Sequence, residues 1–229
     1  MSGYEWFAPV YDAWAADMVE DVDFYVELAR EAEGPVIELA AGSGRISIPI
    51  AERTGKRVIG IDLSPAMLDL ARERAAETGV ELELREADMR DLDYDAASDL
   101  VICPSRALLH LPTWADRRRV FERVARALRP GGRFAWNAFV FDHRYAAEVD
   151  GTWQDEPRRH LTTYAPADNR VDITIENVPV LSLWWVSRSE WEGLLDVAGL
   201  ETEALYGWFD RRPFDEESRE FVWIARKPE

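Results

Sequence analysis

The sequence predicts an α/β protein with a Rossmann-like, doubly wound and mostly parallel sheet, on the basis of three observations. Short apolar segments alternate with segments of helical periodicity between residues 34 and 140, as in parallel sheets covered by helices on both faces. The first apolar segment leads into a turn with two glycines, "VIELAAGSGR". A helix and two more strand-like segments close the chain after residue 187. Five alternating and two closing strands give a seven-stranded sheet with an antiparallel final strand.

The bounds of these elements follow from apolar periodicity and from helix-terminal residues. The predicted strands are "PVIELA" (35–40), "RVIGIDL" (57–63), "VELELREAD" (80–88), "SDLVICPS" (98–105), "RFAWNAFV" (133–140), "ETEALYGWF" (201–209) and "EFVWIARK" (220–227). The predicted helices cover residues 17–32, 44–55, 64–79, 113–132 and 188–200. Ser64 and Pro65 are favoured residues at the cap and first position of a helix.

Residues 141–187 interrupt this alternation and are predicted to form an antiparallel lid inserted after the fifth strand. "RHLTTYAPADNRVDITIENV" (159–178) has the pattern of a hairpin whose turn is "APADN", because proline, aspartate and asparagine favour turns. "PVLSLWWVS" (179–187) is predicted to be a further strand. Neighbouring strand residues face opposite sides, so one of Trp184 and Trp185 should pack on the core while the other is available to line a pocket.

Composition excludes several classes of function. The net charge of −17 argues against a broad nucleic-acid surface, which needs a dense basic face. No apolar segment is long enough to span a membrane. The N-terminus has no basic residue before Arg30 and therefore does not resemble a secretory signal. The single cysteine, Cys103, lies within an apolar segment and is expected to be buried. We therefore expect a cytoplasmic protein without disulfides.

The glycine turn predicts a ligand site at the carboxyl ends of the strands, where open α/β sheets bind ligands. Gly42 and Gly44 allow a sharp turn and close approach of the backbone, and the following helix directs amides at a ligand. Asp62 ends the second strand, where a carboxylate can accept hydrogen bonds from ribose hydroxyls. Asp88 follows the third strand and is placed to meet an adenine ring. Ser47 stands where a dinucleotide fingerprint requires its third glycine, which disfavours a nicotinamide cofactor.

These residues resemble motifs of the class I S-adenosylmethionine-dependent methyltransferases, in particular small-molecule enzymes with an antiparallel lid. "VIELAAGSGR" resembles the first motif of the family, "VIGIDLS" the second and "EADMRDL" the third. "DLVICPSRALLHL" followed by "LRPGG" resembles the fourth strand and the turn before the fifth. The resemblance covers residues 36–140, and the closing helix and strands are also similar to those of the family.

The resemblance implies S-adenosylmethionine as cofactor, S-adenosylhomocysteine as product, and one methyltransferase domain over residues 1–229. Its parts would be an N-terminal helical cap (1–33), a cofactor-binding half (34–140), the lid (141–187) and the closing helix and strands (188–229). The implied cofactor-binding residues are Tyr11, Glu38, Ala40, Gly42, Gly44, Asp62, Leu63, Met67, Asp88, Met89 and Ser105. Met89 would offer a backbone amide to the adenine.

The implied chemistry is direct displacement at the methyl carbon of a sulfonium, which requires alignment of the acceptor and exclusion of water. No metal is required. A base is needed only if the acceptor must lose a proton, and two histidines are candidates for that catalytic role. His110 follows the fourth strand and His143 follows the fifth, so both should lie on the ligand-bearing edge. For each, a structural hydrogen bond or simple surface exposure is the alternative.

The sequence thus predicts a methyltransferase acting on an oxygen or nitrogen nucleophile of a small molecule, as a monomer or homodimer. Three alternatives stay open. An oxidoreductase using NAD(P) is disfavoured by the missing third glycine, and an RNA or protein methyltransferase by the acidic charge and the lack of an appended domain. A non-catalytic protein that only binds the cofactor is compatible with the sequence, since methyl transfer needs little dedicated machinery.

Overall fold

A computed structural model of the chain describes residues 18–155, 159–175 and 178–229. Its helices are α1 (Val22–Glu31), α2 (Ser47–Thr54), α3 (Pro65–Thr78), α4 (Trp114–Ala127), α5 (His143–Val149) and α6 (Arg188–Ala198). Its strands are β1 (Val36–Leu39), β2 (Val58–Asp62), β3 (Glu83–Glu86), β4 (Ser98–Cys103), β5 (Leu128–Phe139), β6 (Trp153–Gln154), β7 (His160–Ala165), β8 (Arg170–Ile175), β9 (Val178–Trp184), β10 (Glu201–Tyr206) and β11 (Glu220–Arg226). No helix within these ranges is long and apolar enough to cross a membrane.

The main sheet has seven strands in the order β10-β11-β5-β4-β1-β2-β3. The strands β1 to β5 are parallel, whereas β11 runs antiparallel to both β5 and β10. The order reverses beside β1, which pairs with β2 on one side and β4 on the other. The carboxyl ends of β1, β2, β4 and β5 therefore form one edge of the sheet, called the carboxyl edge below. The predicted fold class is confirmed.

Apolar burial explains why these segments form the central strands. All four residues of β1 are buried, because helices cover both faces of a parallel sheet and leave no solvent-facing side. Cys103, at the end of β4, is fully buried, as predicted, and burial raises the pKa of its thiol well above the usual range. A thiol in this environment stays protonated and is a poor nucleophile.

An aromatic cluster packs one face of the sheet against α4 and α6. Trp136 of β5 stacks on Trp223 of β11 with ring centroids 5.6 Å apart, and Phe134 stacks on Trp136 at 4.7 Å. Phe121 of α4 and Trp191 of α6 cover the same rings. Each large aromatic side chain buries roughly 150–250 Å², so this cluster anchors the closing strands to the central sheet.

The second sheet has four antiparallel strands in the order β6-β7-β8-β9 and is called the lid sheet below. The predicted hairpin is confirmed: β7 and β8 flank a turn in which Asn169 has a left-handed backbone, with φ of 52°. Trp185 follows β9 directly, is 9% exposed and stacks on Phe141 at 4.1 Å. This stack attaches the lid sheet to the end of β5, while Trp184 is half-buried.

Several element bounds differ from the prediction. The helix expected from residue 17 begins at Val22, with Asp21 at its N-cap position and the Asp21 side chain bonded to Arg45. The helix expected to reach residue 132 ends at Ala127, and β5 begins at Leu128 because its first residues pair with β4 and β11. The short α5 and β6 were not anticipated, since neither has enough residues to show a period.

Candidate active site

The glycine turn, residues 40–46 between β1 and α2, has a left-handed backbone at three positions. Ala40 and Gly42 have φ of 55°, and Gly44 has φ of 79°. A Cβ on Gly44 would lie 3.1 Å from Ile48 of the helix that follows. Glycine is therefore required at this position both by the backbone conformation and by the close packing of the turn on α2.

We expect Gly44→Ala to destabilise the fold more than Gly55→Ala, which serves as a matched control. Gly55 ends α2 with φ of 68°, and an added Cβ there would meet no atom within 4 Å. The control should therefore lose only the strain of a left-handed alanine, about 1–2 kcal/mol, whereas Gly44→Ala adds the Ile48 contact. Urea unfolding of the two variants checks this, and equal losses would show that packing of the turn on α2 contributes nothing.

Asp62 connects the glycine turn to the start of α3. Its Oδ2 accepts a hydrogen bond from the Gly42 amide at 2.8 Å, and its Oδ1 accepts one from the Ser64 amide at 2.8 Å. Burial raises the pKa of the Asp62 carboxyl, and these backbone hydrogen bonds oppose that increase. Each carboxylate oxygen accepts more than one hydrogen bond, so the group can also accept from a ligand hydroxyl.

Leu63 and Met67 flank Asp62 at this edge. Leu63 is 51% exposed, an unusual position for a leucine beside a buried carboxylate. Met67 is buried in the first turn of α3, and its methyl group approaches the backbone of Gly42. Ser64 caps the helix by accepting a bond from the Met67 amide, as the sequence predicted. Both predicted positions therefore lie next to the glycine turn.

Asp88 and Met89 follow β3, and the structure adds a partner that the sequence did not reveal. The Asp88 carboxylate pairs with the Arg90 guanidinium at 2.6 Å and accepts from the Arg90 amide. Partial burial works to raise the pKa of Asp88, but the hydrogen bonds from Arg90 lower it overall. Arg90 also pairs with Asp116. Met89 is half-buried and packs against the main core, so its side chain is structural.

Glu38 lies beneath the glycine turn, 2% exposed, and accepts a hydrogen bond from the Ser47 hydroxyl of α2. Burial raises the pKa of its carboxyl to about 8, the Ser47 bond and Arg45 work to lower it, and Asp21 and Asp62 raise it. Its location supports the glycine turn from below. Contact of Glu38 with a cofactor stays a prediction.

The pH dependence of stability tests the state of Glu38. The pKa of Glu38 is about 8 in the folded protein, against an ordinary value of 4.5 for a glutamate carboxyl. Its favourable contribution to stability is therefore complete below about pH 4.5 and is lost as the pH rises to 8. We expect Glu38→Gln to match the natural protein at pH 4 and to exceed its stability at pH 8.5, by roughly 1.4 kcal/mol per unit of pKa separation. Urea unfolding at both pH values, with the exposed Glu52→Gln as control, measures this. The same change in the free energy of unfolding with pH for the natural protein and Glu38→Gln would contradict it.

The two candidate histidines lie in different environments. His110 ends the short 3-10 turn Ala107–His110 after β4, where burial lowers the pKa of its imidazole to about 4 and a hydrogen bond to the Ser182 backbone of β9 works to raise it. His110 therefore connects the carboxyl edge to the lid sheet. His143 is exposed at the start of α5. It lines a cleft of about 420 Å³ with Phe141 and Phe214, and that lining includes none of the glycine-turn residues.

Ser105 lies between the end of β4 and the turn that carries His110. It has a left-handed backbone with φ of 58°, and its hydroxyl accepts a hydrogen bond from Arg45 of the glycine turn at 2.6 Å. Sequence reasoning placed Ser105 at the site but missed Arg45, although Arg45 directly follows the second glycine of the motif. Tyr11, predicted to contact the cofactor, lies outside the described residues.

Comparison with known proteins agrees with this arrangement. Residues 36–132 match a family model described as a methyltransferase domain. The putative methyltransferase YqeM of Bacillus subtilis is 35% identical over 157 residues, which cover 67% of this chain and 62% of that protein. The cypemycin N-terminal methyltransferase of a Streptomyces species is 25% identical over 224 residues, covering 89% of this chain and 87% of that protein. The chain spans 41–62% of the length of the first curated relatives that it matches.

Solved structures of methyltransferases share this fold. The crystal structure of an S-adenosylmethionine-dependent methyltransferase from Clostridium acetobutylicum covers 99% of both chains with a TM-score of 0.80, at 17% identity. At that identity the similarity shows a shared fold, lid sheet included. Residues 36–132, which carry the glycine turn, Asp62 and Asp88, thus match the methyltransferase domain family, and the chain shares the fold of an S-adenosylmethionine-dependent methyltransferase.

Proposed function

We propose that this chain transfers a methyl group from S-adenosylmethionine to a nitrogen or oxygen nucleophile of a small molecule, with an amine as the favoured acceptor. The observation that carries the proposal is the pairing of two features at the carboxyl edge. A carboxylate holds the glycine turn from one side, and His110 links the other side to the lid sheet. The carboxylate can bind the ribose of a nucleoside, and His110 is placed to contact an acceptor held under the lid sheet.

The chemistry of the donor set fits the cofactor. Asp62 would accept the ribose hydroxyls, since its oxygens keep acceptor capacity beyond the two backbone bonds. The half-exposed Leu63 offers an apolar surface to the adenine, and Asp88 and the Met89 amide would meet its rim. The backbone at Gly42 and Gly44 has no side chain, so the methionyl end would approach the turn closely there. The bound cofactor supplies an activated methyl group on a sulfonium, so the protein needs to align the acceptor and exclude water.

His110 would orient the acceptor rather than remove a proton completely. A protonated amine has a pKa of about 8–10, so transfer of its proton to an imidazole of pKa about 4 would cost roughly 5–8 kcal/mol. The amine must therefore arrive as the free base. A neutral imidazole can then accept a hydrogen bond from the amine N–H and direct the lone pair at the methyl carbon. His143 has no comparable position and is a weaker candidate.

The favoured acceptor class rests on two supports. One relative, aligned over 89% of this chain, is named for methylation at an N-terminus, which is an amine. The net charge of −17 favours cationic or neutral molecules over nucleic acids. A small acceptor is favoured because the lid sheet is fixed to the core near the edge by the Phe141–Trp185 stack and by His110.

Calorimetry followed by a methylation screen tests the proposal. We expect micromolar binding of S-adenosylmethionine and S-adenosylhomocysteine and none of NADH. A panel of small amines, phenols and carboxylic acids, with an unstructured RNA and a protein mixture, is then incubated with cofactor carrying a labelled methyl group. Label on an amine supports the favoured acceptor, and label on a phenol restricts the proposal to oxygen. Binding of NADH alone, or label only on RNA or protein, would overturn it.

A further inference from the structure

Arg45 is the centre of a buried polar connection between three parts of the chain. Its Nη1 donates to the Met18 carbonyl at 2.7 Å and to Asp21 Oδ1 at 2.6 Å. Its Nη2 donates to Asp21 Oδ2 at 2.6 Å and to the Ser105 hydroxyl at 2.6 Å. The side chains of Arg45 and Asp21 are 9% and 8% exposed. One guanidinium thus ties the glycine turn to the segment before α1 and to the residues after β4.

The residues after β4 need such support because they are strained. Ser105 and Arg106 have φ of 58° and 61°, and two successive non-glycine residues in the left-handed region persist only when their surroundings hold them. Arg45 holds Ser105 by a hydrogen bond to the Ser105 hydroxyl. The second is held by an ion pair at 2.8 Å between the Arg106 guanidinium and Glu220, a carboxylate that is 1% exposed.

The connection closes on itself. Glu220 also accepts a hydrogen bond from the Asn137 amide at 2.6 Å, and Asn137 Oδ1 accepts one from the Tyr25 hydroxyl at 3.2 Å. Tyr25 and Asp21 lie four residues apart at the start of α1 and therefore share one face of the helix. The glycine turn, the Ser105–Arg106 turn, β11, β5 and α1 are joined in a single ring of polar side chains.

The Ser105–Arg106 turn has a functional position. It lies beside the glycine turn because β4 pairs with β1, and Arg106 caps the 3-10 turn that ends at His110. A change in the backbone of Ser105 would therefore move both the wall of the cofactor site and the imidazole. Among the described hydrogen bonds, the one from Arg45 to the Ser105 hydroxyl joins Arg45 to this turn.

We propose that Arg45 is a positioning residue that holds the Ser105–Arg106 turn in its left-handed conformation and thereby sets the placement of His110 beside the cofactor. The inference rests on the proposed function. It assigns Arg45 no contact with cofactor or acceptor, because both of its terminal nitrogens are occupied by Met18, Asp21 and Ser105.

The test breaks the connection at Ser105, which leaves the buried Arg45–Asp21 pair intact. Ser105→Ala removes the acceptor, whereas Ser105→Asn supplies an amide oxygen in a residue that tolerates the left-handed region. We expect Ser105→Ala to bind S-adenosylhomocysteine about tenfold more weakly, as for loss of a hydrogen bond to a charged group, and Ser105→Asn to recover to within about threefold. Ser189→Ala, an exposed serine of α6, is the control.

A second readout in the ligand-free protein separates positioning from cofactor contact. The chain has three histidines, so their imidazole signals can be assigned by NMR with one variant each. We expect Ser105→Ala to shift the His110 signals while His143 and His160 stay in place, and Ser105→Asn to restore them. Unchanged His110 signals in Ser105→Ala, or equal loss of affinity in the alanine and asparagine variants, would overturn the inference. Failure of the natural protein to bind S-adenosylhomocysteine would instead refute the proposed function, and the NMR result would still decide the role of Arg45.

Discussion

Asp62→Asn is expected to weaken binding of S-adenosylhomocysteine about a hundredfold without unfolding the protein. The carboxylate accepts amide hydrogen bonds from Gly42 and Ser64 on separate oxygens. Asparagine has one amide oxygen and one NH₂ group, so one backbone amide would face a donor. The ribose hydroxyls that would donate to the carboxylate would also lose a charged acceptor. A hydrogen bond to a charged group contributes about 1.5–3 kcal/mol, and a loss near the upper end of that range is about a hundredfold in affinity.

Calorimetric titration measures the effect, with Asp69→Asn as the matched control. Asp69 lies on α3, in the same region of the chain, but its side chain is 68% exposed, and its ion pair within the described part of the chain is with Arg72. The control should bind like the natural protein, since an exposed ion pair contributes about 0–1 kcal/mol. Equal affinities for the two variants would remove Asp62 from the cofactor site and leave it as a structural link between the glycine turn and α3.

The sequence predicted the parts of the fold that depend on neighbouring residues. Continuous apolar character identified β1 as a strand buried on both faces, and the Ser64–Pro65 pair located the start of α3. The turn residues between β7 and β8 located the hairpin of the lid sheet. Each of these features arises within a few residues, so periodicity and turn chemistry are enough to find it.

Features that depend on distant residues could not be predicted in the same way. Asp62 ends β2 and Asp88 follows the neighbouring β3, yet Asp88 pairs with a guanidinium while Asp62 accepts backbone amides. The ion pair between Arg45 and Asp21 joins residues that stand 24 positions apart. Nothing in local sequence distinguishes these carboxylates, because their partners are chosen by how the turns pack against each other.

The two candidate histidines also differ through contacts with residues that are distant in sequence. His110 and His143 each follow a strand of the parallel sheet and were equivalent candidates in the sequence. The structure separates them: His110 is buried, which lowers the pKa of its imidazole, and is hydrogen-bonded to the Ser182 backbone of β9, whereas His143 is exposed at the start of α5. The backbone partner that distinguishes His110 thus lies about 70 residues further along the chain, where local sequence patterns do not reveal it.

His110→Gln is expected to lower kcat about a hundredfold for an amine acceptor, with affinity for S-adenosylhomocysteine changed less than about threefold. Glutamine keeps an N–H that can donate to the Ser182 backbone, so the link to the lid sheet is retained. What it loses is the imidazole that would orient the acceptor, and misplacement of about 1 Å can cost a hundredfold in rate. His143→Gln is the control, and its kcat should be unchanged.

The pH profile then distinguishes orientation from proton removal. With a pKa of about 4, His110 is already neutral above about pH 5, so its titration cannot shape the profile between pH 6 and 9. The rise in rate over that range should follow the pKa of the acceptor amine and keep its midpoint in His110→Gln, with only the plateau lowered. Two results would contradict this: a midpoint that differs between the natural protein and His110→Gln, or a midpoint that stays the same when the amine acceptor is changed. Either would mean that His110 titrates near neutrality when substrates are bound and acts as a general base.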